Sequence, residues 1–267
     1  MIKTPPFFSI ITASFNSQKT ISKTIESLLN QDYTDFEYII IDGDSLDRTK
    51  EIISKYNNYI DVYVSEKDKG IYDAMNKAID YCSGDYILFL NSGDKLYEPN
   101  TVSKIINEII QIKPDILLGS YNYVQDISHF NKTVHVRPLN YYFKGMVTNH
   151  QSCLFKRQIH AEFKYDLRFK LVADYHLLLK LFLDGKYFFV SKETISIISV
   201  GGLSDNNRFK VLRENLKVQN ELSPSIMNYL FYSKSIVYQM IIRIIKLVIN
   251  YSKSIIRIQI NNPEKKL

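Results

Sequence analysis

Tryptophan is missing from the 267 residues, and cysteine occurs only twice. Cys82 and Cys153 lack the paired spacing of a metal site and are too few for a disulfide framework, so a reducing, cytoplasmic setting is expected. No Gly-x-Gly-x-x-Gly follows the first β-prone run, which excludes a dinucleotide fold of the usual kind, and no Gly-x-x-x-x-Gly-Lys is present to cradle a phosphate. The start, Met1-Ile2-Lys3-Thr4-Pro5-Pro6, has no apolar core of a signal peptide. Charges interrupt every apolar run before it reaches the roughly 20 residues of a membrane span. Fixed-period repeats and low-complexity blocks are also missing.

What is present suits a sizeable core: 45% of the chain is hydrophobic, with 20 Tyr and 15 Phe. The length permits one large or two small domains. The net charge of +6 suits an anionic ligand or membrane surface without demanding either. No nucleic-acid partner is expected.

Up to about residue 125, strand-like and helix-like stretches alternate. Strands are predicted at Phe7 to Ser14, Phe36 to Ile41, Ile60 to Ser65, Asp85 to Leu90 and Ile116 to Val124. Between them lie a helix with Ile21, Ile25, Leu28 and Leu29 inward and Ser17 as its N-cap, and one capped by Asp47 that runs to about Tyr56. A third opens at Gly70 and ends near Cys82. A fourth starts at Pro99, with Val102, Ile105, Ile106, Ile109 and Ile110 as its buried stripe. This alternation predicts an α/β fold with a parallel sheet and right-handed crossovers. From 126 to 210 the pattern is irregular, with one clear helix at Ala173 to Leu183 and strands near Tyr187 to Val190 and Ile195 to Val200. The expected organisation is a ligand-binding half over 1–125, a second half of the same domain over 126–210, and a helical segment over 211–267.

Three polar clusters fall at the carboxyl ends of predicted strands: Thr12-Ala13-Ser14, Asp42-Gly43-Asp44 and Asn91-Ser92-Gly93-Asp94. One such cluster is an ordinary turn, since Asp and Gly form turns regardless of function. Three along one sheet edge outline a ligand crevice. There Asp42 could accept from a base or ribose hydroxyl, and Asp94 could hold Mg²⁺ or Mn²⁺, which prefer carboxylate and phosphate oxygens.

In order and spacing these pieces resemble family 2 of the inverting glycosyltransferases, with the GT-A fold. The matching stretches are Ser9-Ile10-Ile11-Thr12-Ala13-Ser14-Phe15-Asn16, Ser27 to Tyr33, Glu37 to Ser45, and Asp47-Arg48-Thr49. They continue with Asp68-Lys69-Gly70-Ile71-Tyr72-Asp73-Ala74-Met75-Asn76-Lys77-Ala78 and Gly84 to Asp94. The match is dense from 7 to 98 and thin beyond. The Gly-Ile-Tyr-Asp-Ala-Met-Asn segment resembles the branch that builds bacterial surface polysaccharides.

The resemblance implies a Rossmann-like, mainly parallel sheet flanked by helices. It also implies transfer of a sugar from a nucleotide-diphosphate donor to a glycan or lipid-linked acceptor, with Mn²⁺ or Mg²⁺ as cofactor. Thr12, Ser14, Asp42 and Asp44 would surround the nucleoside. Lys69, Gly70, Asp73, Asn76, Asn91 and Ser92 would complete the donor site, and Asp94 would bind the metal. The family often shows a second carboxylate near that turn, where Asn91 and Gly93 stand here. Its usual Ala-Arg-Asn reads Ala74-Met75-Asn76, so the diphosphate's cation would come from Lys69. Asp174 resembles the Asp of the family's Glu-Asp pair, which deprotonates the acceptor, although Ala173 replaces the Glu. Its plain alternative is a helix-end charge. His150 and Gln151 would lie on the acceptor side, or be structural. Gly201-Gly202-Leu203-Ser204 reads as a plain loop or as a flap over the diphosphate, with Arg208 nearby. The rival readings are a sugar-nucleotide nucleotidyltransferase, which would need a basic Gly-rich loop after the first strand, and a catalytically dead scaffold of a polysaccharide assembly complex.

From Leu222 to Pro263 there are five basic residues and no acidic ones. Ser235, Gln239, Arg243, Lys246, Asn250, Lys253 and Arg257 recur every three or four residues amid apolar ones. This predicts an amphipathic helix lying on an anionic membrane surface, at the cytoplasmic face of the cell membrane. Packing on its own domain, or on a second subunit as a homo-oligomer, is the alternative.

Overall fold

The computed structural model of the chain describes residues 8–125, 130–199, 202 and 207–261. The chain divides into two compact units, Met1–Asn206 and Asn207–Leu267.

The first unit is built on a nine-stranded sheet in the order β3-β2-β1-β4-β8-β6-β9-β5, with β7 beside β6. Its parallel half follows from apolar runs buried on both faces. These are β1 (Phe8–Ser14), β2 (Phe36–Asp42) and β4 (Tyr86–Phe89), with the half-exposed β3 (Val62–Ser65) at the edge. Seven residues of β1 pair with β2 in parallel, from Phe8↔Phe36 to Ser14↔Asp42. β4 pairs on the other side of β1, and β3 on the other side of β2. The connecting helices are α1 (Ile21–Leu29), α2 (Thr49–Ser54) and α3 (Ile71–Ile79). Ile21, Ile25 and Leu28 of α1 join Phe8, Ile10, Tyr38, Ile40 and Leu88 in one buried cluster.

The second half departs from a simple parallel sheet. After α4 (Thr101–Ile112), β6 (Ile116–Gln125) does not pair with β4. Instead β8 (Cys153–Lys156) lies antiparallel between them, with Leu88↔Leu154 on one side and Leu117↔Leu154 on the other. The two strands expected near 187–190 and 195–200 are one strand, β9 (Phe188–Ser199), parallel to β6 with register breaks around Ser120. β5 (Lys95–Leu96), two residues pairing with β9, has no periodic signal to announce it. β7 (Phe130–Val134), α5 (Arg157–Glu162) and α6 (Ala173–Leu183) complete the unit.

Several helix starts are also corrected. Thr20, not Ser17, is the N-cap of α1, because Ser17 closes a preceding turn through its carbonyl. Arg48 precedes α2, while Asp47 accepts from the Thr49 backbone at 3.0 Å. α4 is preceded by Asn100 rather than started by Pro99, and Ile110 is exposed. α6 is buried on nearly every side, including Tyr175 and Leu179.

The second unit holds α7 (Arg208–Leu222) and α8 (Ile226–Asn261), packed on one another. On α8, Ile226, Met227, Leu230, Val237, Tyr238, Ile241, Ile244 and Ile245 are exposed. The side chains of Arg243, Lys246, Asn250, Lys253 and Arg257 lie outside the described residues, as does the 201–204 loop apart from Gly202. Among the described residues, no helix is long and apolar enough to cross a membrane.

Candidate active site

The carboxyl ends of β1, β2 and β4 lie side by side, as parallel pairing requires. The turns beyond β1 and β2 are laced together. Asn16, at φ 47°, accepts from Leu46 N at 2.9 Å and donates its own N–H to Ser45 Oγ at 2.8 Å. Ser14 Oγ lies 2.6 Å from Ser17 Oγ, whose residue in turn donates its backbone N–H to Thr49 Oγ1.

Two expected nucleoside ligands sit beneath this rim. Asp42 is fully buried, accepting from Ser45 N at 2.9 Å, Ser45 Oγ at 2.5 Å and Ser65 Oγ at 2.8 Å. Thr12 is equally buried, donating to Leu90 O and pairing with Tyr38 OH. Their polar atoms are taken up in holding the rim, so the structure does not bring them to a ligand-facing position. Asp44, at φ 63°, stays at the surface, where the Lys50 ammonium 2.6 Å away holds its carboxyl below the usual range.

Asp68, not singled out in the sequence as a ligand, lies against the turn after β2. A Cβ built on Gly43 would lie 2.4 Å from Asp68 Oδ2 and 3.3 Å from the ring of Phe15, so a larger residue there would push the Asp68 carboxylate aside. Phe15 is 62% exposed, and Asp68 spends its other oxygen on Gly70 N. An acidic residue in a polar loop and one exposed aromatic carry no periodic signal.

The third cluster is held by its neighbours. Gly93, at φ 106°, donates to Thr24 Oγ1, and the Thr24 hydroxyl donates to the Asp94 carbonyl. Asp94 is 7% exposed. Its carboxylate accepts from Gln151 Nε2 at 2.6 Å and from Ser199 N at 3.1 Å. Burial raises its pKa to about 6, against the opposing pull of Ser199 N, His150 and Gln151. Among the described residues no Lys or Arg pairs with it. Ser92 Oγ lies 3.3 Å from Thr20 Oγ1.

α3 opens at Gly70, φ 119°, with Asp73 Oδ2 accepting from Lys69 N at 2.9 Å. Lys69, Gly70, Tyr72 and Asp73 line a shallow pocket together with Phe169 and Lys170. Asn76 lies in the middle of α3. Its amide clamps Tyr165, donating to the carbonyl at 2.8 Å and accepting from the N–H at 2.9 Å.

Asp174 and His150 meet. Asp174, in the first turn of α6, accepts from Tyr72 OH at 2.9 Å and from Tyr175 N at 2.8 Å. Its second oxygen lies 3.0 Å from His150 Nδ1. Burial pushes the Asp174 carboxyl up, but the His150 hydrogen bond and charge, with Tyr72 and Tyr175 N, outweigh it and hold the pKa below the ordinary value. The short 3₁₀ turn His150–Ser152, capped by Asn149, aims consecutive residues at two carboxylates: His150 at Asp174 and Gln151 at Asp94. The other His150 nitrogen lies 3.1 Å from Asn91 Nδ2. Tyr72 was read from the sequence as part of a helix and not as a site residue, because a tyrosine on an apolar face reads as core.

The sequence pattern described as Glycosyl transferase family 2 matches residues 9–165. A Mycobacterium bovis "PGL/p-HBAD biosynthesis glycosyltransferase" is 27% identical over 187 residues, covering 66% of this chain and 70% of that protein. The Escherichia coli "UDP-Glc:alpha-D-GlcNAc-diphosphoundecaprenol beta-1,3-glucosyltransferase WfgD" is 27% identical over 233 residues, covering 84% and 89%. Among solved structures, S. aureus TarS 1–349 in complex with UDP-GlcNAc aligns with TM-score 0.66 at 19% identity, over 82% of this chain and 68% of that one. The mannosyltransferase PcManGT from Pyrobaculum calidifontis, in complex with GDP-Man and Mn2+, aligns with TM-score 0.64 at 12% identity, over 88% and 70%. At these identities the two structures establish the shared GT-A fold.

Proposed function

The chain belongs to glycosyl transferase family 2, and from that premise we propose that it moves a sugar, with inversion, from a nucleotide-diphosphate donor to a glycan or lipid-linked acceptor in cell-surface polysaccharide synthesis. The observation that carries the reading is one 3₁₀ turn whose consecutive residues each reach a carboxylate. Asp94 stands beyond β4 and Asp174 at the head of α6, with His150 and Gln151 reaching one each.

Asp174 is the group that draws the proton from the acceptor hydroxyl, and Tyr72 and His150 hold it in place. Ser14, Asp44, Lys69, Gly70, Asp73 and Ser92, with Phe15 and Asp68, border the donor side. Thr12, Asp42 and Asn76 support that border from beneath. Asp94 is a buried carboxylate with a raised pKa and, among the described residues, no Lys or Arg paired with it, which is the environment a divalent cation would relieve. Asp94 would hold Mn²⁺ or Mg²⁺, which when bound neutralises the charge of the departing diphosphate. The exposed apolar residues of α8, and a sequence that carries basic but no acidic residues there, support attachment to the cytoplasmic face of an anionic membrane.

The test uses the full chain with UDP-glucose, UDP-N-acetylglucosamine and GDP-mannose, a short alkyl-diphosphate sugar as acceptor, and Mn²⁺ present or withheld. Acceptor-dependent release of nucleoside diphosphate is expected, and Asp94→Ala should lose it together with the Mn²⁺-dependent part of donor binding. Formation of pyrophosphate would indicate a nucleotidyltransferase, and no release at all a scaffold. Metal-dependent donor binding that survives Asp94→Ala removes Asp94 from the metal site.

A further inference from the structure

His150 lies between Asp174 and Asn91, with one ring nitrogen toward each. The amide nitrogen of Asn91 faces His150 Nε2 at 3.1 Å, an arrangement in which Nε2 accepts. In the neutral ring the proton is then on Nδ1, which points at Asp174 Oδ2. Asn91 thus selects the tautomer that donates to the carboxylate. Asn91 Oδ1 is buried with no partner.

Asp174 is held from three elements: Tyr72 on α3, Tyr175 N on α6 itself and His150 before β8. The other titratable groups around it are Tyr142, Cys153 and Tyr165, all pushed by burial far above their ordinary values and therefore neutral. Tyr72 is neutral for the same reason. His150 also feels Asp94. Among the described residues, His150 is the basic side chain in contact with the base carboxylate.

We propose that His150 is the positioning residue of Asp174: its Nδ1–H fixes the carboxylate, and Asn91 fixes the ring. The base is thereby tied to the same turn after β4 that carries Asp94, so the proton-accepting and leaving-group ends of the reaction share one frame. This rests on the reading of Asp174 as the base, so the test treats Asp174→Asn alongside.

Transfer is assayed with the full chain, the donors and the alkyl-diphosphate acceptor named above. Asp174→Asn should abolish it. His150→Ala should lower kcat by about tenfold to a hundredfold through misplacement, with donor KM moving by less than about twofold. His150→Asn, whose amide reaches the Nδ1 position, should recover most of the loss; His150→Gln, whose amide reaches the Nε2 position, should not. In His150→Ala the acid limb of the kcat–pH profile should move to higher pH, because Asp174 loses the partner that holds it down while its burial remains. The ¹⁵N signals of the His150 ring, identified by their loss in His150→Asn, should report a protonated Nδ1 in the unliganded protein.

An active Asp174→Asn removes the base and this proposal with it. An inactive Asp174→Asn beside a His150→Ala of unchanged kcat and acid limb leaves the base standing and overturns the positioning. A protonated Nε2 with bare Nδ1 overturns it directly. If His150→Ala does not fold, the Asn and Gln variants decide: Asn above Gln supports the proposal, and equality or the reverse order refutes it.

Discussion

His160 gives the sharpest measurable consequence of the fold. It is fully buried in α5, its ring packed at 4.6 Å from Phe155, 4.8 Å from Tyr165 and 5.2 Å from Phe89. Neither ring nitrogen has a hydrogen-bond partner. Burial lowers its pKa from 6.5 to about 4, assisted by the charge of Lys164 and opposed by its own backbone. In the unfolded chain the ring takes a proton below about 6.5. The native state refuses that proton until about pH 4, so stability is intact above 6.5 and is lost as pH falls between those values. At 1.36 kcal/mol per unit, the full loss is about 3 kcal/mol, and about 2 kcal/mol is gone by pH 5.

His160→Phe removes this term. It also removes two unpaired buried nitrogens, a gain of about 1–3 kcal/mol. Overpacking by the larger ring costs about the same. Stability at pH 7.5 is therefore a poor readout, because the two effects oppose each other. The difference between pH 7.5 and pH 5 is a clean one, since every other titrating group is common to both proteins. Urea unfolding at the two values should show the natural protein losing about 2 kcal/mol more than the variant. Parallel losses would mean that the His160 ring is solvated or paired after all.

Two further outcomes follow from the same geometry. Asp174→Asn keeps the shape and the Tyr72 contact but removes the base; transfer should fall by about 10²–10⁴-fold with donor binding retained, and a loss of only a few-fold would reduce Asp174 to a helix-end charge. Changing Arg243, Lys246, Lys253 and Arg257 to Gln should weaken cosedimentation with anionic vesicles by about 1 kcal/mol per charge, an effect that added salt should mimic in the unaltered protein. Unchanged sedimentation would leave α8 as a packing element.

The parallel half of the sheet was legible because β1, β2 and β4 are apolar runs buried on both faces that alternate with helical stretches. β8 is the apolar stretch Cys153-Leu154-Phe155, but nothing local tells such a stretch which edge it will fill, and it separates β4 from β6. β5 is too short to show a period. At the site, Asp94 and Asp174 stood out as carboxylates at element ends. The uses of Asn76 and Asp42 did not, because their partners Tyr165 and Ser65 are distant in sequence. The same distance hid the pairing of His150 with Asp174, which joins a 3₁₀ turn to a helix on the far side of β8.

The insertion of β8 also bears on how the protein is made. On a ribosome, α1 to α4 and the first strands emerge long before Cys153. Until Lys156 has left the exit tunnel, β4 has a partner only on the β1 side, and its other edge presents bare N–H and C=O groups of a strand buried on both faces in the finished protein. The last strand to arrive beside it is the one that seals that edge. Synthesis therefore passes through a stage in which the most apolar part of the chain is open to pairing with a neighbouring nascent chain. Slowing translation after residue 125 would lengthen that stage without altering a single residue of the product.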